Sequence, residues 1–440
     1  MYSINPIQGF PLKTGKVLDK KAIAFWAASG FFLENDTFWE DVKWEGIDFS
    51  NQQWRYEPRD ISFDRAVAEF GELFELIVRE QTAGRKVILP LSGGLDSRTL
   101  AVALKPTGIQ PYSYSYSFKD GLDETIYGRE ISKALGWPFE SVIIPPGYLW
   151  SKIEDAGHIN GCYADFTHAR QFAAAADLSE RGDLWLLGHW GDVLFDNFGL
   201  PDATPFDEQL KVLKKKILKK GGLELAEDLW QAWGITGSPG ENLEHRLKSM
   251  HARIPIENAN ARMRSFKSLY WATRWTTANL SFFSHYKPMA LPYYDDRMCN
   301  FIMTVPEKFL AGRAIQIEYI KRNAPDLARI PWQKHRPFNL YNYKRNKSPW
   351  NLPYRMLNRA KHALDSAVGK PFIQRNWELQ FLGEKNDQEL RRWLFENKSF
   401  DKIVPLEIRT KYYNRFQTED KVYWSHPLCM LLALSVFTMI

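Results

Sequence analysis

The sequence predicts an α/β fold in which a parallel sheet is flanked by helices and is followed by a mainly helical C-terminal part. Two observations support this prediction. Short apolar runs alternate with segments of helical periodicity between residues 62 and 187, and two polar motifs each come directly after a predicted strand. Alternating strands and helices are typical of parallel sheets covered on both faces, and such sheets bind ligands beyond the carboxyl ends of their strands.

The individual elements follow from the spacing of apolar residues and from turn residues. Phe63, Val67, Phe70 and Phe74 recur at helical spacing, which predicts a first amphipathic helix, and Gly136 follows a later helical pattern as a stop signal. The predicted strands are residues 86–91, 112–118, 141–144 and 184–187. The predicted helices are residues 62–81, 97–104, 123–135 and 210–220, helical segments from about Leu149 and Thr167, and a buried terminal helix at 428–440.

The chain divides into three parts by its pattern. Residues 1–60 mix aromatic runs with turn residues, and we expect an N-terminal extension or cap made of short strands or irregular chain. Residues 61–200 are predicted to be the α/β core, and residues 201–440 the helical portion that completes the domain. Within the latter, residues 334–350 are basic and aromatic and are expected to form a loop.

Composition and charge argue against several classes of protein. The 440-residue chain has a formal net charge of +6, too little to indicate nucleic-acid binding. Cys162, Cys299 and Cys429 are far apart and lack CxxC spacing, which argues against a disulfide framework and a zinc ribbon. The N-terminus lacks the features of a signal peptide, and the apolar tail is shorter than the roughly 20 residues of a membrane span. We therefore expect a cytoplasmic protein without a membrane span.

The most informative motif is Ser92-Gly93-Gly94-Leu95-Asp96-Ser97, between a predicted strand and a predicted helix. Two adjacent glycines let backbone N–H groups approach an anion closely, and the helix N-terminus adds partial positive charge. Asp96 would repel phosphates unless Mg²⁺ lay between them. The motif therefore predicts a pyrophosphate-binding loop with a metal. It is not a Walker loop, because GxxxxGK[ST] is missing, and its structural alternative is a tight turn with a Ser or Asp helix cap.

This loop resembles the SGGxDS loop of the N-type ATP pyrophosphatases, and residues 91–101 are most similar to asparagine synthetase. Residues 188–195, G-H-W-G-D-V-L-F, resemble that family's G-E-G-A-D-E-L-F segment. Asp123-Glu124 resembles its acidic pair, residues 291–295 resemble V-P-F-L-D, and residues 332–334 resemble R-Q-K. The resemblance runs from about residue 62 to the C-terminus. It implies an adenine nucleotide alpha hydrolase-like fold, with residues 61–200 as the ATP-pyrophosphatase core.

The resemblance also implies ATP and Mg²⁺ as ligands and a role for particular residues. Asp96 and Asp192 would ligate Mg²⁺, and Lys334 would offset negative charge on the leaving pyrophosphate. His189 is the second candidate catalytic residue. The residues implied to hold ATP are Leu91, Ser92, Gly93, Gly94, Asp96, Ser97 and Gly188, with Leu91 and Gly188 near the adenosine.

The chain departs from asparagine synthetase in its nitrogen source and inside the site. Residue 2 is Tyr2 instead of a nucleophilic cysteine, and the stretch before residue 62 is too short for a glutaminase domain, so we expect no glutamine hydrolysis. His189 stands where the family has glutamate. A neutral histidine can act as a base near pH 7, but a hydrogen-bonded structural histidine is the alternative. Val193 and Pro288 also replace acids, which argues against aspartate as the substrate.

These features predict an ATP-dependent amide-forming ligase that adenylates a carboxylate, releases pyrophosphate and transfers the acyl group to ammonia or an amine. The carboxylate would belong to a small molecule, a sugar acid or a peptide, and a partner protein could supply ammonia. Two alternatives stay open. One is an RNA-modifying adenylating enzyme, against which the scattered cysteines and the small net charge argue. The other is a non-catalytic nucleotide-binding descendant, suggested by His189, Val193 and Pro288.

Overall fold

The core of the computed structural model is a five-stranded parallel sheet with the strand order β3-β2-β1-β4-β5. The structure describes residues 15–44, 54–166, 169–367 and 375–440. The strands are β1 (Val87–Pro90), β2 (Tyr112–Phe118), β3 (Phe139–Ile144), β4 (Leu184–Leu186) and β5 (Met289–Ala290). The predicted parallel sheet and its four predicted strands are confirmed. β5 was not predicted, because two residues are too few to show a strand pattern.

Helices cover the sheet and make up most of the second half of the chain. The α-helices of the described residues are α1 (Lys20–Ser29), α2 (Phe63–Thr82), α3 (Leu95–Leu104), α4 (Thr125–Leu135), α5 (Tyr148–Asn160), α6 (Phe172–Ser179), α7 (Gly191–Leu194), α8 (Phe206–Ile217), α9 (Gly222–Ala232), α10 (Pro239–Ala252), α11 (Ala259–Phe266), α12 (Thr273–Ser284), α13 (Asp296–Met303), α14 (Glu307–Leu310), α15 (Ala314–Asn323), α16 (Pro325–Arg329), α17 (Leu352–Ala367), α18 (Glu384–Phe395), α19 (Lys398–Asp401), α20 (Leu406–Thr418) and α21 (Lys421–Phe437).

Local signals explain where these helices begin and end. Ser62 caps α2 by accepting a hydrogen bond from the backbone N–H of Arg65 at 3.1 Å, and the predicted face of α2 is buried. α4 ends at Gly136, whose φ of +68° is the left-handed conformation that glycine adopts easily. Thr167 lies outside the described residues, and the helix expected there begins at Phe172. The predicted loop at 334–350 is confirmed, with short 3₁₀ turns as its only regular structure among the described residues.

The N-terminal part corrects one expectation. Residues 15–44 contain α1 and a single bridge between Leu18 and Trp39, in place of the expected short strands or irregular chain, while residues 1–14 and 45–53 lie outside the described residues. α1 has no visible helical period in the sequence because eight of its ten residues are buried. The division at residues 60 and 200 stays a prediction. One hydrophobic core includes Phe25, Phe70 and Leu280, which come from all three parts.

The C-terminal helix is buried as predicted but begins earlier than expected. α21 starts at Lys421, capped by Asp420, and its residues from Leu428 to Val436 are buried against the helical part. None of the helices in the described ranges is both long and apolar enough to cross a membrane.

The order of the strands determines where a ligand can bind. Ile88 of β1 pairs with Tyr112 of β2 on one side and with Trp185 of β4 on the other. The chain runs outward through β2 and β3 and then returns to the opposite side of β1. The carboxyl ends of β1 and β4 therefore meet at a topological switch point, which is where open α/β sheets bind ligands.

Candidate active site

The Ser92–Ser97 loop, which follows β1, is closed by hydrogen bonds between its two serines. Ser97 Oγ accepts from the Ser92 backbone N–H at 3.1 Å and lies 3.1 Å from Ser92 Oγ. Ser92 Oγ in turn accepts from the Gly94 N–H at 3.3 Å. α3 then begins at Leu95 without a side-chain cap from Gly94. The first N–H groups of α3 have no intrahelical acceptor, so they are available to an anion.

The segment after β4 packs directly against this loop. A Cβ at Gly188 would lie 2.9 Å from Asp96 Cβ, so only glycine permits this approach. Trp190 has a φ of +71°, which is strained for a residue with a side chain, and its buried ring packs on Tyr294 with a 4.3 Å centroid separation. This tight turn carries Asp192 into the first turn of α7, beside the loop.

Asp96 and Asp192 interact electrostatically, and each is paired with a cation. Asp96 Oδ1 accepts from the Arg313 guanidinium and from Gln316 Nε2 at 3.3 Å, while Asp192 Oδ2 accepts from Lys267 Nζ at 3.2 Å. Burial raises the pKa of Asp96 above its usual value; Arg313 opposes that rise and Asp192 adds to it. Partial burial alone would also raise the pKa of Asp192, but Lys267 and Arg313 outweigh it and lower that pKa.

The carboxylates of Asp96 and Asp192 are suitable ligands for a Mg²⁺ ion that is also bound by phosphate oxygens. Mg²⁺ uses one or two carboxylates and fills its remaining positions with water and phosphate oxygens. The described residues hold no cluster of three acidic, His or Cys side chains that could bind a metal alone. Asp96 and Asp192 each use one carboxylate oxygen for a cation, Oδ1 and Oδ2 respectively. The donor set therefore fits a metal that arrives with a nucleotide.

A cavity of about 430 Å³ opens over the carboxyl ends of the central strands. It brings together nine of the residues singled out in the sequence outside the R-Q-K-like motif, which are Leu91, Ser92, Gly94, Asp96, Ser97, Glu124, Gly188, His189 and Asp192. Gln333, from the motif at residues 332–334, also lines it. The sequence did not identify the other polar lining residues, which are Tyr114, Ser115, Tyr116, Arg170 and Gln171. Gly93 is not among the residues that line this cavity, and a Cβ there would lie 2.7 Å from the Tyr127 ring and 2.8 Å from Gln333, so only glycine fits.

Lys334 lines a second cavity of about 320 Å³ that adjoins the first. The two cavities share Gly94, Asp96 and Gln333, and Arg313 lines the second one with Lys334. Lys334 is exposed and lies in a 3₁₀ turn, Gln333–His335. The Gln333 N–H donates to the Gly93 carbonyl at 3.2 Å, and Gln333 Nε2 donates to Glu124 Oε1 at 2.6 Å. The turn that carries Lys334 is therefore anchored to the loop.

His189 enters the larger cavity as a neutral imidazole. Burial lowers its pKa to about 4, and the nearby charge of Asp192 only partly opposes this. Its Nδ1 is buried without a hydrogen-bond partner among the described residues. His189 therefore lines the cavity as a neutral side chain, and its catalytic role stays a prediction.

Two arginines and one lysine contribute to the site without having been predicted. Arg98 is fully buried and donates to the carbonyls of Gly93 and Pro331 at 3.3 and 2.9 Å, so it ties the loop to the chain that leads to Lys334. Burial lowers the pKa of Arg98 to about 10, but this value is still well above 7, so the guanidinium is charged at pH 7. Arg313 and Lys267 reach Asp96 and Asp192 from residues 217 and 75 positions away in the sequence. No local sequence pattern indicates such pairs. Of the three residues, only Arg98 is next to a recognised motif, because it directly follows Ser97.

A sequence model of the asparagine synthase family matches residues 69–313, which is more than half of the chain and includes the loop, the segment after β4 and Arg313. No glutaminase domain is found. Among curated proteins, none matches the chain.

Proposed function

The chain belongs to the asparagine synthase family, whose members are ATP-using ligases, and on this premise we propose that it adenylates a carboxylate and transfers the acyl group to ammonia or an amine. The observation that carries the proposal is the meeting of the Ser92–Ser97 loop with Gly188 and Asp192 at the switch point of the sheet. That arrangement surrounds one cavity with backbone donors, two carboxylates and a neutral imidazole.

In the first half-reaction a carboxylate oxygen of the substrate attacks the α-phosphorus of ATP, and pyrophosphate leaves. The free N–H groups at the start of α3 hold the pyrophosphate end through the loop. Asp96 and Asp192 would hold Mg²⁺, which supplies positive charge to the phosphate oxygens when it is bound. Lys334 and Arg313 line the adjoining cavity, where they stabilise charge on the departing pyrophosphate.

In the second half-reaction a nitrogen nucleophile attacks the acyl-adenylate, and AMP leaves. Leu91 and Gly188 are proposed to contact the adenosine, since both line the cavity at the strand ends. His189 is proposed to accept a hydrogen bond, and then a proton, from the attacking nitrogen, because it lines the cavity as a neutral imidazole. A neutral imidazole does not attract ammonium as a glutamate would, so the nucleophile arrives as neutral ammonia or as an amine of the substrate.

Arg170 is proposed to select the carboxylate substrate. It lines the larger cavity, its Nε is buried without a hydrogen-bond partner among the described residues, and none of the ion pairs there involves it. An unpaired guanidinium in a cavity favours a bidentate anionic group. The carboxylate substrate is therefore proposed to carry a second negatively charged group besides the carboxylate that is adenylated.

Isotope transfer tests the reaction directly. Carboxylates labelled with ¹⁸O, including dicarboxylates and sugar acids, are incubated with ATP, Mg²⁺ and ammonia, and the released AMP is analysed by mass spectrometry. The proposal expects one ¹⁸O in AMP together with pyrophosphate. Unlabelled AMP would contradict adenylation of the carboxylate. Binding of α,β-methylene-ATP by calorimetry, without release of pyrophosphate from ATP in the presence of any carboxylate, would favour a non-catalytic nucleotide-binding protein.

A further inference from the structure

An exposed amphipathic helix and the turn before it form a surface that is separate from the cavities. Residues 341–364, called the basic segment below, run from Tyr341 through most of α17. Six of the large apolar side chains that are exposed on the described residues belong to it, and Leu357, Leu364 and Met356 are each about two-thirds exposed. The exposed apolar residues of this segment are Tyr341, Trp350, Leu352, Met356, Leu357 and Leu364.

The apolar residues of α17 lie on one face. At 100° per residue, the apolar positions from Leu352 to Leu364 fall within an arc of about 140°. Arg359 lies at one edge of this arc and Lys361 at the other. Apolar side chains bordered on both sides by cations are the pattern of helices that lie in the plane of a lipid surface, with the cations reaching outward to the headgroups.

The charge of this segment is strongly one-sided. Between Asp326 and Asp365 the sequence contains no acidic residue. The cations of the basic segment are Lys344, Arg345, Lys347, Arg355, Arg359 and Lys361. Their number equals the whole chain's net charge of +6, so the rest of the chain is neutral overall. None of the six pairs with a carboxylate among the described side chains, and Arg345 instead lies over the Trp350 ring, 5.4 Å from its centroid.

We propose that the basic segment docks the protein on an anionic lipid surface, with Met356, Leu357 and Leu364 entering the boundary between headgroups and acyl chains. A lipid surface satisfies both features at once, because it accepts apolar side chains and attracts cations through its headgroup phosphates. RNA would engage the cations but leave the apolar face in water. A second copy of this chain would cover the apolar face but bring the two sets of cations together.

Vesicle binding by the full chain tests the proposal. Large vesicles of phosphatidylcholine alone, or of phosphatidylcholine mixed with phosphatidylglycerol, are sedimented with the protein. We expect binding to the mixed vesicles only, weakening as salt is raised. Replacing Arg355, Arg359 and Lys361 with Gln should weaken binding roughly a hundredfold, since each cation near such a surface contributes about fivefold. The matched control replaces the exposed Lys211, Lys215 and Lys248 with Gln and should bind as the wild type does.

A fluorescent label shows whether the apolar face enters the lipid. The three cysteines of the chain are buried, so an environment-sensitive dye can be placed at Leu364→Cys, with the exposed Leu406→Cys as the control. The label at 364 should shift to the blue on mixed vesicles and the label at 406 should not. Leu357→Ser should reduce binding on the order of tenfold or more, because it removes apolar area from the contact.

Several results would overturn the proposal. Equal binding to both vesicle types, or to neither, contradicts docking on an anionic lipid surface. Binding that survives Leu357→Ser without a dye shift indicates a purely electrostatic contact. Salt-sensitive binding to RNA without binding to vesicles assigns the surface to nucleic acid. Self-association in the ultracentrifuge that Leu357→Ser abolishes, without vesicle binding, assigns it to a second copy.

Discussion

Two aspartates that line the cavity, Asp96 and Asp192, are each paired with a cation. Asp96 lies where the loop meets Gly188, and its carboxylate is paired with Arg313. Lys267 does the same for Asp192 at 3.2 Å. Two neighbouring carboxylates would otherwise repel each other and an incoming triphosphate. The cations therefore offset the negative charge of both carboxylates.

Lys334→Met should slow pyrophosphate release by about 10²–10³-fold, because a cation aimed at developing charge acts mainly in the transition state. ATP affinity should change much less. The measurement is ATP–pyrophosphate exchange together with calorimetry of α,β-methylene-ATP binding. Lys308→Met, at another exposed lysine, is the control and should keep wild-type exchange. Loss of binding and exchange to the same degree would indicate that Lys334 only contributes affinity.

His189→Gln should separate the two half-reactions. The rate of ATP–pyrophosphate exchange should stay within a few-fold of the wild type, because His189 acts after pyrophosphate has left. The rate of amide formation should fall by about 10²-fold or more. The comparison needs both rates on one preparation, with the exposed His285→Gln as the control. Equal loss of both rates would place His189 in binding or folding and would contradict its proposed role in the second step.

At the scale of elements, the helices place side chains that no single motif contains. A π-helical segment, Lys267–Ala272, joins α11 to α12 and begins with the lysine that pairs with Asp192. Single π-turns within helices are frequent at functional sites.

Helices α8 and α10 are joined by a buried polar contact. His251 Nε2 lies 2.9 Å from Gln209 Oε1, and Gln209 Nε2 donates to the Thr204 carbonyl at 2.7 Å.

This contact makes stability depend on pH. Because the Gln209 amide donates to Thr204, its Oε1 accepts from His251 Nε2–H, and His251 Nδ1 is left without a hydrogen-bond partner among the described residues. Burial, with Arg262 nearby, lowers the pKa of His251 from 6.5 to about 4. The unfolded chain therefore binds the proton more readily, so this contribution to stability is complete above pH 6.5 and is lost as pH falls toward 4.

The expected loss is about 3 kcal/mol of unfolding free energy across that interval. Urea unfolding at pH 7 and at pH 4 measures it, and His251→Gln should reduce the difference between the two pH values. The exposed His245→Gln, on the same helix, should leave the difference unchanged. Equal pH dependence in the wild type and His251→Gln would show that other groups cause it.

At the scale of the whole molecule, the two ends of the described chain meet on the helical part. Phe38 stacks on Phe437 with a centroid separation of 3.9 Å. Arg274 of α12 is buried and donates to the carbonyls of Glu34 and Asp36, the latter at 2.6 Å. Burial lowers the pKa of Arg274 to about 10, so it remains charged. These contacts join the N-terminal part to the rest of the protein.

Arg274→Met should lower the unfolding free energy by about 3 kcal/mol, because two partly buried carbonyl groups lose the charged donor that a buried arginine supplies. Urea unfolding at pH 7 is the measurement. The exposed Arg329→Met is the control and should change stability by about 0.5 kcal/mol or less. A loss of similar size in both variants would contradict the specific role of the buried contact.

The sequence by itself determined the parallel sheet, the Ser92–Ser97 loop between a strand and a helix, and the position of Asp192 after another strand. The reason is that these features depend on apolar periods and glycine spacing within one or two elements. The tertiary structure decided the rest. It supplied Arg313 and Lys267 as partners of the two aspartates, made His189 neutral by burial, replaced the expected strands near the N-terminus with α1, and left the apolar face of α17 exposed. Burial and contacts between residues far apart in sequence arise only when the whole chain packs, so no local pattern encodes them.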